Sequence, residues 1–209
     1  MRRTPVRLAL AAAGLAALGL ALPASASTGA TTLVLTDPSG DQLPIGKGDI
    51  TKLTYTTTGK TVTKKVGKKV VKTYTPDTLL LTLTTADAID TSGTTTYEVD
   101  SALAGCDAGL NVYFTPGVDG SEGGGCLNGS GTNITSVGVD GPPTLAASSI
   151  TWAIKFKAVG GPLKPGAAIS GIDAYTALVE PVTGIVGPYL VSSSFDNDEL
   201  KSDTVYKVG

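Results

Sequence analysis

The chain has 209 residues, 16 Lys plus Arg against 18 Asp plus Glu, a formal net charge of −2 and no histidine. The missing imidazole excludes Ser-His-Asp and Cys-His catalysis and the histidine-based zinc and transition-metal sites. Every arginine lies at the extreme N-terminus (Arg2, Arg3 and Arg7), so the rest of the chain has no guanidinium for bidentate clamping of phosphate or carboxylate.

The first element is a leader. Arg2, Arg3 and Arg7 precede an apolar run from Leu8 to Leu22, Pro23 ends it, and Ala24-Ser25-Ala26 offers small side chains to a signal peptidase. This predicts a secretory signal over 1–26. The apolar run is shorter than the roughly 20 residues that span a bilayer. The expected product is therefore a secreted domain, 27–209, with no membrane attachment after cleavage. That domain holds 13 Lys and 18 acidic residues, so its net charge is 13 − 18 = −5. An acidic chain of this kind is a poor partner for nucleic acid. Its Ala-, Gly-, Thr- and Val-rich composition is that of exported proteins from high-GC bacteria.

Strand signals then recur along the chain, rich in Thr and Val and punctuated by Gly, Pro, Asp and Asn. They predict an all-β fold, an antiparallel β-sandwich of jelly-roll or immunoglobulin-like type, in a single domain. Strands are expected at Thr31–Leu35, Ile50–Thr57, Thr61–Lys65 and Lys69–Tyr74, the last two forming a hairpin about Gly67. Thr78–Thr84 is apolar on nearly both faces and should be central. Thr95–Leu103, Leu110–Phe114 and Ile134–Val139 follow, with a short helix over Pro143–Ala147. Ser149–Ala158, Ala168–Val179, Tyr189–Ser193 and Thr204–Val208 complete the set.

In SSITWAIKFKAVG, Ile150, Trp152, Ile154 and Phe156 share one face, and Thr151, Ala153, Lys155 and Lys157 share the other. The single Trp is thereby assigned to the core rather than to an aromatic binding platform. Tyr113 and Tyr175 lie on the face opposite their apolar neighbours and are the better candidates for surface contact. Cys106 and Cys126, 20 positions apart, are expected to form a disulfide in an exported chain. Loop closure of this length contributes roughly 3 kcal/mol and restrains a glycine-rich segment.

Motifs for catalysis are missing. No Gly-x-Ser-x-Gly elbow, Ser-x-x-Lys pair or dinucleotide fingerprint occurs, and Gly59-Lys60-Thr61 has Thr54 where a P-loop needs glycine. A carboxylate-pair hydrolase needs an aromatic-lined cleft, and the chain has few aromatics. The expectation is a protein that is not an enzyme. In the stretch KTVTKKVGKKVVK, Lys64, Lys65, Lys68 and Lys69 lie about the hairpin turn. Two readings stay open: edge protection against aggregation, and contact with an anionic cell-envelope polymer.

Two acidic stretches carry the remaining chemistry. TDPSGDQLPIGKGDI presents Asp37, Asp41 and Asp49, and SSSFDNDELKSD presents Asp196, Asp198, Glu199 and Asp203. Calcium takes several hard oxygen ligands from flexible loops. Asp-Pro and Ser-Gly-Asp are also ordinary turn formers, so Ca2+ and turn chemistry are both open. The Asp-Pro-x-Gly-Asp opening, the Gly-Asp-Ile-Thr that follows and the terminal Tyr206-Lys207-Val208-Gly209 resemble the two ends of a recurring bacterial secreted domain. That group is similar to DOMON-like and family 9 carbohydrate-binding-module-like β-sandwiches. The resemblance implies a β-sandwich and singles out Asp37, Asp41 and Asp49 as calcium ligands. The functional expectation is a secreted, non-enzymatic domain that binds an extracellular polysaccharide or cell-envelope polymer. A protein-interaction or inhibitor module is the alternative.

Overall fold

The computed structural model describes residues 31–40, 48–107, 109–119, 122–127, 134–156, 163–178 and 196–209. Residues 1–26, expected as a leader, Asp41 and the strand expected at Tyr189–Ser193 lie outside the described residues. Among the described residues there are twelve strands: β1 Thr32–Thr36, β2 Ile50–Val66, β3 Lys69–Thr85, β4 Thr95–Leu103, β5 Leu110–Phe114, β6 Glu122–Leu127, β7 Ile134–Gly138, β8 Thr144–Ala146, β9 Ser149–Lys155, β10 Ala168–Leu178, β11 Asp196–Ser202 and β12 Tyr206–Lys207. They form two antiparallel sheets. The five-stranded sheet has the order β1-β2-β3-β9-β8; the seven-stranded sheet runs β11-β10-β4-β5-β6-β7, with β12 also on β10. The chain is an all-β sandwich.

The period-2 pattern explains the core. Leu53 and Tyr55 of β2, Leu79, Leu81 and Leu83 of β3, and Ile150, Trp152 and Ile154 of β9 are buried against Tyr97 and Val99 of β4, Leu110 and Val112 of β5, and Ile172 and Ala174 of β10. As the pattern predicts, β3 is the central strand of its sheet and Trp152 is fully buried. Polar groups also tie the layers together. The Asp198 carboxylate accepts from the Ile50 N–H, Tyr55 Oη lies 2.9 Å from Ser101 Oγ, and Thr176 Oγ1 donates to Gly48 O at 3.3 Å. These bonds fix one sheet over the other in a way that apolar packing alone does not.

The hairpin expected about Gly67 is present and longer than expected: β2 and β3, each 17 residues long, join it without a break to the strands expected at Ile50–Thr57 and Thr78–Thr84 and pair from Ile50–Thr85 to Val66–Lys69. Pro76 lacks an N–H, but a register shift at Thr58/Gly59 absorbs it without ending the ladder. At the tip, Gly67 takes φ 63° while Lys68 stays negative, which glycine alone does without strain. Pro143–Ala147 is not helical; Thr144–Ala146 pairs with β9, with Leu145 opposite Ile150. Five residues sustain no helix, whereas an edge ladder satisfies their backbone groups. The glycine-rich end of the disulfide loop is a strand, β6, paired with β5. The acidic stretch over Asp196–Ser202 is a strand too, β11; neither it nor β6 is among the strands that the sequence predicts. The disulfide is formed, with Cys106 and Cys126 Cα atoms 5.0 Å apart.

Candidate functional site

The outward residues of the seven-stranded sheet line up in two adjacent rows. In one, Glu199, Tyr175, Glu98, Tyr113 and Gly123 are successive cross-strand partners over β11, β10, β4, β5 and β6. In the other, Lys201, Asp173, Asp100, Asn111 and Gly125 follow the same strands. The alternation that sends Tyr97, Val99 and Leu103 inward sends Glu98 and Asp100 out, so the core pattern itself builds the face.

The glycines of β6 make room for it. A Cβ at Gly123 would lie 2.6 Å from Tyr113 Oη and 2.9 Å from its Cε1, so the ring rests on this glycine. Beneath it, Trp152 Nε1 donates across the core to the Tyr113 carbonyl at 3.4 Å. Asn111 Nδ2 donates to Asp100 Oδ1 at 2.8 Å and to Glu98 Oε1, holding both carboxylates in place. Lys201 pairs with Glu199 and lies 3.7 Å from Asp173 Oδ2. Asp173 Oδ1 is buried without a hydrogen-bond partner among the described residues.

Burial, with like charges added at Glu98 and Asp173, shows in the acidities. Burial raises Glu98, Asp100 and Asp173 above the ordinary carboxylate range; the Asp100 charge adds to the rise at Glu98, and the Glu199 charge to that at Asp173. Burial, and then the Glu98 carboxylate, drive the Tyr175 hydroxyl far up. It is a permanent donor at any physiological pH. Beside Asp100 and Asp173, a register shift between Ser170 and Asp173 separates β10 from β4, with Gly171 at φ 53°. A cavity of about 790 Å³ opens there, lined by these two carboxylates, Ala102, Ser170, Gly109 and Cys106.

Tyr113 and Tyr175 therefore share one face, two strands apart and both half-buried. The acidic ends behave differently. Asp37 follows β1, its N–H on Thr51 O. Asp49 is buried; its Oδ2 accepts from Gly40 N at 2.7 Å, while its Oδ1 has no donor among the described residues. Asp198 bonds the residue that follows Asp49, so the two acidic stretches do meet. Asp196 is on β11 opposite Ala177. Among the described residues, no three His, Cys, Asp or Glu come together as a group that could hold a metal ion. Lys64, Lys65, Lys68 and Lys69 are exposed at the far tip of the β2–β3 hairpin, away from this face. Glu98, Asp100, Asn111 and Asp173 were not singled out by sequence, and Glu199 only as part of the C-terminal acidic stretch. Their alternation with core residues was visible, but not that their strands adjoin.

Fold and site together define a two-sheet β-sandwich with a carboxylate- and tyrosine-bearing surface on its larger sheet. Comparison with known proteins finds no matching family model, no matching curated protein and no matching solved structure.

Proposed function

We propose that this is an exported, non-enzymatic binding module that takes an extracellular glycan on the outer face of the seven-stranded sheet. The observation that carries the reading is the row Tyr175–Glu98–Tyr113, with the Tyr113 ring resting on Gly123. Aromatic faces stack on the apolar faces of sugar rings, and two strands of separation put the two tyrosines about 10 Å apart. Glu98 and Asp100, held by Asn111, offer acceptors for hydroxyl groups. Asp100 and Asp173 open onto the cavity, but among the described residues no aromatic side chain lines it with them to hold a sugar there, which favours binding on the tyrosine row over acid–base cleavage. Affinity electrophoresis through gels carrying soluble neutral polysaccharides tests this. Retardation on at least one polymer is expected, with Tyr113→Ala and Tyr175→Ala each weakening it about tenfold, or ~1.4 kcal/mol. Migration unchanged on every polymer, or retardation indifferent to both substitutions, overturns the reading.

A structural calcium on Asp49, with Asp37, Asp41 and Asp198 as the further ligands that the sequence offers, is the second part of the proposal. The support is Asp49 Oδ1, a buried carboxylate oxygen without a donor among the described residues, which is the kind of atom a hard cation takes. Calcium at a hundredfold excess over its Kd would stabilise the fold by about 2.7 kcal/mol. Thermal melting with calcium and with EGTA should differ accordingly, and Asp49→Asn should erase the difference. Superimposed wild-type curves dispose of the ion.

A further inference from the structure

We propose that the outer half of the β2–β3 hairpin docks against the acidic face of a second copy of this chain, linking copies head to tail. The hairpin outgrows its sheet. β1 pairs with β2 only as far as Thr56, and β9 pairs with β3 only from Thr78, so from Gly59 to Pro76 the two strands pair, among the described residues, only with each other. A two-stranded ribbon by itself is marginal in water.

This ribbon carries Lys60, Lys64, Lys65, Lys68, Lys69 and Lys72 and no acidic residue. No described carboxylate pairs with any of them. The remaining 13 − 6 = 7 lysines of the exported domain face its 18 acidic residues, so the body is strongly negative and the ribbon strongly positive. Val62, Val66, Val70 and Val71 are also exposed, 44–64% of each. They are half of the eight large apolar side chains exposed among the described residues. A hydrated polyanion would use the lysines and leave those valines wet; a protein surface covers both.

The acidic face has the complementary pattern. On one side of the ribbon Lys60, Val62, Lys64 and Val66 alternate, with Val71 opposite Lys64 and Lys69 opposite Val66. On the sheet, Glu199, Tyr175, Glu98 and Tyr113 also alternate, but across strands at about 4.8 Å a step against about 6.7 Å along the ribbon, and Lys201 is the one cation in the two rows. The match is therefore one of character, lysines among valines against carboxylates among rings, and not of residue-by-residue register. Ribbon cannot pair with ribbon, since lysine would oppose lysine. The contact is therefore heterologous, and it propagates from copy to copy. It uses the carboxylates and does not rest on the glycan reading.

Sedimentation velocity on the mature protein tests the proposal. Concentration-dependent association is expected at low ionic strength, dissolving in about 1 M salt, where the screening length falls to about 3 Å. A ribbon variant, Lys64→Glu with Lys69→Glu, and a face variant, Glu98→Gln with Glu199→Gln, should each associate at least tenfold more weakly. Circular dichroism verifies that both remain folded. Mixed, they retain one intact ribbon and one intact face, so a 1:1 dimer and nothing larger should appear. A monomer at every concentration in low salt overturns the proposal, as does association that survives the ribbon variant. Ribbon-dependent binding of soluble polyphosphate without self-association also overturns it and reassigns the ribbon to a polyanion.

Discussion

Trp152→Ala should destabilise the protein by about 3–5 kcal/mol, the range for emptying a buried aromatic site. Trp152 is fully buried on β9, directly opposite Leu81, in the layer between the sheets. Its loss leaves a cavity that flanking strands cannot close without breaking their ladders. It also removes the Nε1–H donor from the Tyr113 carbonyl, leaving a backbone acceptor short of its partner. Single domains hold only 5–15 kcal/mol in total, so this one change removes a large share. In urea titrations the midpoint should fall sharply with the slope unchanged. Trp152→Phe retains much of the volume but not the donor, and should lose clearly less. A loss under about 1 kcal/mol for the alanine variant contradicts the packing described. Because the indole supports the strand that presents Tyr113, the alanine variant should also weaken any glycan retention, whereas Tyr113→Ala should barely change stability.

The second large effect is a stability profile that bends twice with pH. Asp90 is buried, which works against its charge. The hydroxyls of Thr94, Ser92 and Thr95 and the N–H of Ser92 outweigh burial and hold it down from 3.8 to about 2. A carboxylate depressed by folding stabilises fully above its unfolded pKa and loses that contribution as pH falls toward its folded value. For Asp90 this is about 2 kcal/mol, lost between about pH 4 and pH 2. Glu98, Asp100 and Asp173 have the opposite sign: their folded pKa values are raised, so their charges destabilise at neutral pH and the strain lifts as they protonate. Stability should therefore rise on mild acidification and fall steeply below about pH 4. Urea midpoints at pH 7, 5, 4 and 2.5 measure this. Asp90→Asn should lower the neutral value and flatten the acid limb. Glu98→Gln should stabilise at pH 7, with the gain vanishing in acid. A profile for Asp90→Asn as steep as wild type removes Asp90 as the cause.

The glycine run Gly123-Gly124-Gly125 shows where sequence reading misleads. Glycine disfavours strands on propensity, yet here its lack of a Cβ is what admits the neighbouring strand: a Cβ on Gly124 would sit 2.6 Å from Asn111 O. A tertiary contact overrides a local preference. The β8 segment errs in the same direction, since an open edge on β9 decides the conformation of three residues too few to choose one themselves.

Alternation within each strand was legible from the residues alone. It assigned Trp152, Ile150 and Ile154 to the core, Tyr113 and Tyr175 to the outside, and β3 to the middle of a sheet, because a side-chain period of 2 is a property of one strand. The disulfide partners were legible because only two cysteines exist. What the residues could not determine is which strands adjoin. Glu98 meets Tyr175 and Asp100 meets Asp173 only because β4 pairs with β10 across a long connection, with a bulge at Gly171 that shifts the register. Likewise, nothing local says that β1 and β9 stop short of the β2–β3 tip. Both the carboxylate–tyrosine face and the free lysine ribbon are products of strand order and register, which the buried layer between the sheets selects as a whole.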